Sequence, residues 1–320
     1  MSGVSSPSTQ TLQNQAICTL FEGDYHHGVA ALVNSLVRAG YKGTVWAGYR
    51  GKLPPWVSQL KQLDQAGAYM VADQLRLAFV PLSVSYHFAN YKPEFMLELL
   101  AHQASDAAYL WYFDPDICLR CSWPFFVKWS QYGIAICQDA TNNDIPENDP
   151  LCHQWMEVGE KAGLGKGRPL HHCFNSGMVG VAPAHTSFLE SWKRMIAVGV
   201  SMGCNIQRID SLNREMPFHI LDQDAMVIAA MFTEHPLTTM AADGMGFIPG
   251  GYTMYHVRGP KPWRGSSLLR ALGGNPPCSA TKYYFTQASK PIRLYSPWRF
   301  RINKLECAIA ALIGRFYHRR

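Results

Sequence analysis

Residues 109–113 read YLWYF, an apolar run with no polar side, and the chain then turns abruptly into Asp114, Pro115 and Asp116. A strand that is apolar on both faces has to be covered on both faces. That is the position of a central, parallel strand with helices packed above and below it.

The flanking sequence repeats the alternation such a sheet requires. AICTLF at 16–21 predicts a short strand, EGDYHHG a turn-rich loop, and 28–40 a helix that closes on Gly40. Val29, Leu32, Val33, Leu36 and Val37 fall on one face of that helix. GTVWAGY follows as a second strand, which completes a βαβ unit. Further on, RLAFVPL (76–82), GIAICQD and FNSGMVGVA (174–182) predict strands. Segments 92–104, 185–199 and 221–231 predict helices, the first tolerating Pro93 in its opening turn and the last capped by an aspartate. ATNNDIPENDP reads as a polar loop, and 161–172 as a Gly-rich, basic and mobile stretch. The fold class expected is α/β, with a doubly wound, mainly parallel sheet flanked by helices. The expected division is a disordered polar segment over 1–15, one domain over 16–265, and a basic amphipathic helical extension over 266–320.

In sheets of this kind ligands sit beyond the carboxyl ends of the strands, and both EGDY and Asp114–Pro115–Asp116 lie at such ends. Residues two apart in an extended segment project to the same side, so both carboxylates can face one point. Pro115 stiffens the pair where no ladder bond is needed. Two hard oxygen ligands on a rigid rim suit Mg²⁺ or Mn²⁺, ions that keep open positions for substrate phosphates. A solvated polar turn is the other reading of the same residues, and a D-x-D recurs at Asp222–Gln223–Asp224.

Composition narrows the function classes. With 320 residues, 48% of them hydrophobic, the chain can bury a large core, whereas 16% charged residues is low for a freely solvated surface. The formal charge is +6, and much of the excess lies in Arg293, Arg299, Arg301, Lys304, Arg315, Arg319 and Arg320. Nine cysteines without regular spacing predict reduced thiols and a reducing, cytoplasmic compartment. The CxxC at Cys118–Cys121 has no second pair at zinc-site distance. The polar first residues predict no secretory signal, and no apolar run is long enough to span a bilayer.

Five elements stand in an order with a known counterpart: Asp24–Tyr25 after the first strand, Asp114–Pro115–Asp116, Phe174–Asn175–Ser176–Gly177, Asp222–Gln223–Asp224, and His256-Val-Arg-Gly-Pro-Lys261-Pro-Trp263. With Asn34–Ser35–Leu36 and Lys92, the chain over about 16–264 resembles the GT-A-fold glycosyltransferases, in particular the family 8, glycogenin-like and galactosyltransferase-like retaining enzymes. It departs from them in having Pro115 between the aspartates, Arg258 after the histidine, and one residue fewer between Gly259 and Lys261. The resemblance implies an enzyme, a hexosyltransferase working from a nucleotide-sugar donor, UDP-linked, onto a glycan or lipid-linked acceptor. It implies Mn²⁺ or Mg²⁺ on Asp114, Asp116 and His256, with Gly259 and Lys261 at the diphosphate. It assigns Asp24 and Tyr25 to base and ribose, Lys92 to nucleotide or sugar, and Asn175, Ser176, Asp222 and Gln223 to the donor sugar. A retaining reaction would proceed by front-face displacement, since no carboxylate nucleophile stands out, whereas an inverting one would need an Asp or Glu near the acceptor as base. Two other classes compete. A sugar nucleotidyltransferase needs a basic, Gly-rich first loop that EGDYHHG lacks, and a non-catalytic relative would have no need of both aspartates and His256.

In the C-terminal extension Ile302, Leu305, Ile309, Leu312, Ile313 and Phe316 recur at helical spacing between basic residues, with Trp298 upstream. Such a helix suits an anionic membrane interface, and equally suits packing against the domain or a second subunit. Its cations interleave with aliphatics rather than stacking aromatics, which speaks against nucleic acid.

Overall fold

The computed structural model describes residues 14–64, 67–140, 145–211, 213, 215–250 and 253–316. In chain order they form β1 (Gln15–Glu22), α1 (His26–Ala39), β2 (Gly43–Arg50), β3 (Lys61–Gln62), β4 (Ala68–Ala72), β5 (Leu75–Pro81), α2 (Lys92–Ala101), β6 (Tyr109–Phe113) and β7 (Ile117–Leu119). There follow α3 (Trp123–Trp129), β8 (Ile134–Gln138), α4 (Pro150–Lys161), β9 (Phe174–Val181), α5 (Thr186–Ser201) and α6 (Leu221–Phe232). The chain closes with β10 (Leu237–Met240), β11 (Met254–His256), α7 (Ser267–Leu272), α8 (Ser279–Gln287) and α9 (Pro297–Ile313). The class is α/β with a mixed sheet flanked by helices, and no described helix is long and apolar enough to cross a membrane.

These elements group into two compact units. One holds the residues up to Leu20, Pro81–Phe113 and Pro124–Ala242; the other holds Phe21–Val80, Asp114–Trp123 and the chain from Asp243 onward. The residues expected as one domain over 16–265 are shared between the two, and those of the C-terminal extension belong to the second. Of the expected N-terminal segment, residues 1–13 lie outside the described residues, as do Arg319 and Arg320. Gln15, placed in that segment, opens β1 instead, because its amide donates to Ser130 and accepts from the Trp111 indole.

In the first unit the strands run in the order β10, β8, β9, β6, β1. β1 pairs parallel with β6 and β10 parallel with β8, while β9 lies antiparallel to both β6 and β8. Every residue of β6 is buried, as its two-sided apolarity requires. The register of β9 slips between Ile136 and Cys137, which pair with Val179 and Asn175, so Ser176, Gly177 and Met178 bulge out of the ladder with β8. α4 is absent from the sequence reading: Asp149 caps it, Pro150 starts it, and Cys152, Trp155 and Val158 face inward. At the start of α6 the expected aspartate cap is not formed, and Ile220 stands at the N-cap position with no side-chain cap. Asp222 lies inside the first turn, and Asp224 reaches back to accept from the N–H groups of His219 and Ile220.

In the second unit β2, β5, β4 and β3 stand side by side, and β7 forms a separate antiparallel pair with β11. α1 begins at His26, two residues before the expected start, and ends at Gly40 with a left-handed φ of 81°. Asn34 and Ser35 act here as structural anchors. Asn34 donates to the carbonyls of Gln287 and Ile292, and Ser35 Oγ accepts from the N–H of Leu119 on β7. α9 starts with Ser296 as cap and Pro297 in the first turn.

Candidate functional site

Asp114–Pro115–Asp116 forms a tight turn between β6 and β7, closed by the Ile117 N–H on the Asp114 carbonyl at 3.0 Å. β11 pairs with β7 so that His256 stands opposite Ile117, and the Val257 N–H donates to the Asp116 carbonyl at 3.1 Å. This pairing brings the imidazole to the carboxylates across more than a hundred residues of sequence. His256 Nε2 lies 3.2 Å from Asp116 Oδ1 and 3.6 Å from Asp114 Oδ2. One donor atom from each of the three residues lies within 4.8 Å of the others. A Mg²⁺ or Mn²⁺ ion binds ligands at about 2.1 Å, which puts neighbouring donors about 3 Å apart. The separations here fit, and two carboxylates with an imidazole form a hard set that such an ion accepts.

Pro115 can sit where it does because α1 carries a glycine at the facing position. A Cβ on Gly28 would stand 2.4 Å from the Pro115 carbonyl oxygen and 3.0 Å from the Trp263 ring. His256 Nδ1 is buried with no hydrogen-bond partner among the described residues.

Asp116 is the buried member of the group. Burial alone would push its carboxyl up, but attraction to His256, the hydrogen bond from that ring, and Lys261 together outweigh burial and hold it well below the carboxylate range. Lys261 Nζ donates to Asp116 Oδ2 and, at 2.8 Å, to the Val257 carbonyl. Burial opposes its charge, and Asp116 more than offsets that, keeping the ammonium above its ordinary value. Tyr25 lies beneath two cations, 5.7 Å from Lys261 Nζ and 5.1 Å from the Arg264 guanidinium, with its ring edge-on to Trp263. Asp24 is bound by Arg264 through both carboxylate oxygens, and those hydrogen bonds hold its carboxyl below the usual value. Arg264 is a partner the sequence reading did not name. Gly259 has φ +74°, a left-handed conformation that by itself favours glycine, and a Cβ there would meet open space.

The remaining nominated residues form a second, buried cluster in the first unit. Lys92 Nζ donates to Asp222 Oδ2 at 3.0 Å and to Ser176 Oγ at 3.1 Å, and Ser176 in turn donates to Asp222. The Trp192 indole donates to the Asp222 carbonyl. Asn175 Nδ2 donates to Asp139 Oδ2 at 3.1 Å and to Gln223 Oε1 at 3.2 Å, while its Oδ1 accepts from the Gly177 N–H. Asp139 is a functional candidate that the sequence reading missed. The signal was available, since IAICQ followed by Asp139 repeats the pattern of YLWYF followed by Asp114. Asp224, beside it, is pushed up to about 7, chiefly by burial.

The structure therefore gathers Asp24, Tyr25, Asp114, Asp116, His256, Gly259 and Lys261 in one unit, and Lys92, Asn175, Ser176, Asp222 and Gln223 in the other. No protein-family model and no curated protein sequence matches this chain.

Proposed function

We propose that this chain is a metal-dependent glycosyltransferase of the GT-A type, moving a sugar from a nucleotide-sugar donor, UDP-linked, to a glycan or lipid-linked acceptor with retention of configuration. The observation that carries the reading is the meeting of Asp114, Asp116 and His256 around one point, with Lys261 against the same carboxylate. Mn²⁺ or Mg²⁺, when bound, supplies Lewis-acid stabilisation to a diphosphate leaving group.

The chain's own residues account for the rest. Asp114, Asp116 and His256 hold the ion. Lys261 keeps its charge in a half-buried setting and offers it to the diphosphate, beside a Gly259 backbone that carries no side chain. Tyr25 supplies a ring for base or ribose, with Asp24 fixed next to it by Arg264. The resemblance alone assigns Asn175, Ser176, Asp222 and Gln223 to the donor sugar and Lys92 to the nucleotide or sugar. Among them the Lys92–Asp222 ion pair is a positioning element, because it immobilises Ser176. A lipid-linked acceptor would be met at a membrane surface, and the enzyme is proposed as a cytoplasmic protein peripheral to one.

The test is nucleotide release from UDP-, GDP- and CMP-sugars with Mn²⁺ present and absent. Wild type is expected to release one nucleotide only with the metal, and Asp116→Ala to lower that rate by about two orders of magnitude or more. Metal-independent release at the wild-type rate in Asp116→Ala defeats the assignment.

A further inference from the structure

α9 packs inward through Cys307 and Ala310, and its only acidic residue, Glu306, is turned the same way. Glu306 accepts hydrogen bonds from Ser266 Oγ and from the Leu268 N–H, which fixes α9 against the start of α7. Further along, Gly314 approaches the Pro276 ring, so closely that a Cβ there would stand 2.5 Å from it. The opposite side of α9 carries Trp298 and, seven residues on, Leu305, Ile309 and Leu312 at three- and four-residue spacing, with Phe316 just beyond the helix. They are exposed, from 42% for Ile309 to 83% for Phe316. α7 adds Leu269 and Leu272, at 69% and 59%. Isolated exposed leucines need no explanation, but a stripe along one helix with two more on its neighbour does.

The charges around the stripe say what can cover it. Residues 266–320 hold ten Lys and Arg against the single Glu306, whose carboxylate is already engaged. Arg299, Arg301, Lys304 and Arg315 are exposed on α9 and just beyond it. Arg258 and Arg270 also line a cavity of about 220 Å³ beside α7 whose walls hold no carboxylate. A second copy of this chain on the same stripe would set like charge against like charge. A surface of anionic lipid reverses that sign, accepts the apolar side chains below its headgroups, and suits a tryptophan at the start of the helix.

We propose that the exposed face of α7 and α9 docks this chain on an anionic lipid bilayer, leucines and aromatics inserted and the flanking arginines and lysines on the lipid phosphates. This deepens the peripheral reading given above by naming the surface, and it stands or falls separately from sugar transfer, since binding is read without any donor.

The full chain is sedimented with vesicles of phosphatidylcholine alone and of phosphatidylcholine with phosphatidylglycerol, at about 0.1 M and about 0.5 M salt. Binding is expected on the anionic vesicles at the lower salt and not on the neutral ones. The L305S/L312S pair and, separately, L269S should each weaken it by about tenfold or more, and R301Q/K304Q should weaken it in a salt-dependent way. All these positions are exposed, and circular dichroism checks that each variant keeps its fold. Failure of wild type to sediment with anionic vesicles overturns the proposal, as does undiminished binding by folded L305S/L312S. Sedimentation velocity without lipid supplies the remaining outcome. Self-association of wild type that L305S/L312S abolishes would hand the face to a second copy and overturn the lipid assignment.

Discussion

At the scale of single residues, the position of Lys261 has a measurable consequence for metal binding. Its ammonium lies against the same Asp116 carboxylate that a divalent ion needs, so in the absence of nucleotide the two cations compete. Two like charges a few ångströms apart repel by several kcal/mol at an effective dielectric of about 20. Lys261→Met is therefore expected to bind Mn²⁺ about tenfold more tightly than wild type when no nucleotide is present, and to bind a nucleoside diphosphate more weakly. Titration calorimetry with Mn²⁺ alone and with Mn²⁺ plus UDP separates the two effects. Unchanged or weaker Mn²⁺ binding by the variant would mean that Lys261 helps to hold the carboxylates in place rather than opposing the ion.

At the scale of elements, the turn that carries the two aspartates depends on the helix beneath it. Helix propensity alone predicts that Gly28→Ala stabilises α1 by about 1 kcal/mol. The added methyl, however, would meet the Pro115 carbonyl oxygen at 2.4 Å, and backbone cannot yield as a side-chain tip does. Overpacking of this kind costs about 1–3 kcal/mol, so the clash is expected to win. Gly28→Ala should lower the thermal midpoint and weaken Mn²⁺ binding together, because Pro115 stands between both carboxylates. A variant more stable than wild type with undiminished Mn²⁺ binding contradicts that account. Pairing at this scale also explains the motifs. Asn34 and Ser35 tie α1 to the chain around Ile292 and to β7, and the bulge in β9 takes Ser176 out of the ladder with β8.

At the scale of the whole molecule, the buried acid Asp224 couples stability to pH. Its folded value lies near 7, raised first by burial and further by Asp222 and Asp139, against an ordinary value of 3.8. Between those values the folded chain holds a proton that the unfolded chain has lost, so this residue's contribution to stability falls as pH rises through that window. Asp224→Asn stays neutral and keeps an oxygen for the N–H groups of His219 and Ile220. Between pH 5 and pH 8 the stability of wild type relative to Asp224→Asn should fall by about 1–3 kcal/mol, read as urea midpoints by tryptophan fluorescence. A constant difference would show that Asp224 ionises normally in the folded chain. The sequence by itself determined the α/β class, most strands and helices, and the carboxylate pair at a strand end, because period, burial pattern and turn residues are local properties of a chain. It missed α3 and α4 and the short strands β3, β4, β7, β10 and β11, expected an aspartate cap where Ile220 stands before α6, and passed over Asp139 and Arg264. Only the tertiary structure decided that His256 reaches Asp114 and Asp116, that Lys261 leans on Asp116 and Arg264 on Asp24, and that α9 turns Cys307 and Ala310 inward and its larger side chains out. Those outcomes depend on strand pairing and helix packing between distant segments, and no local pattern encodes the register in which distant segments meet.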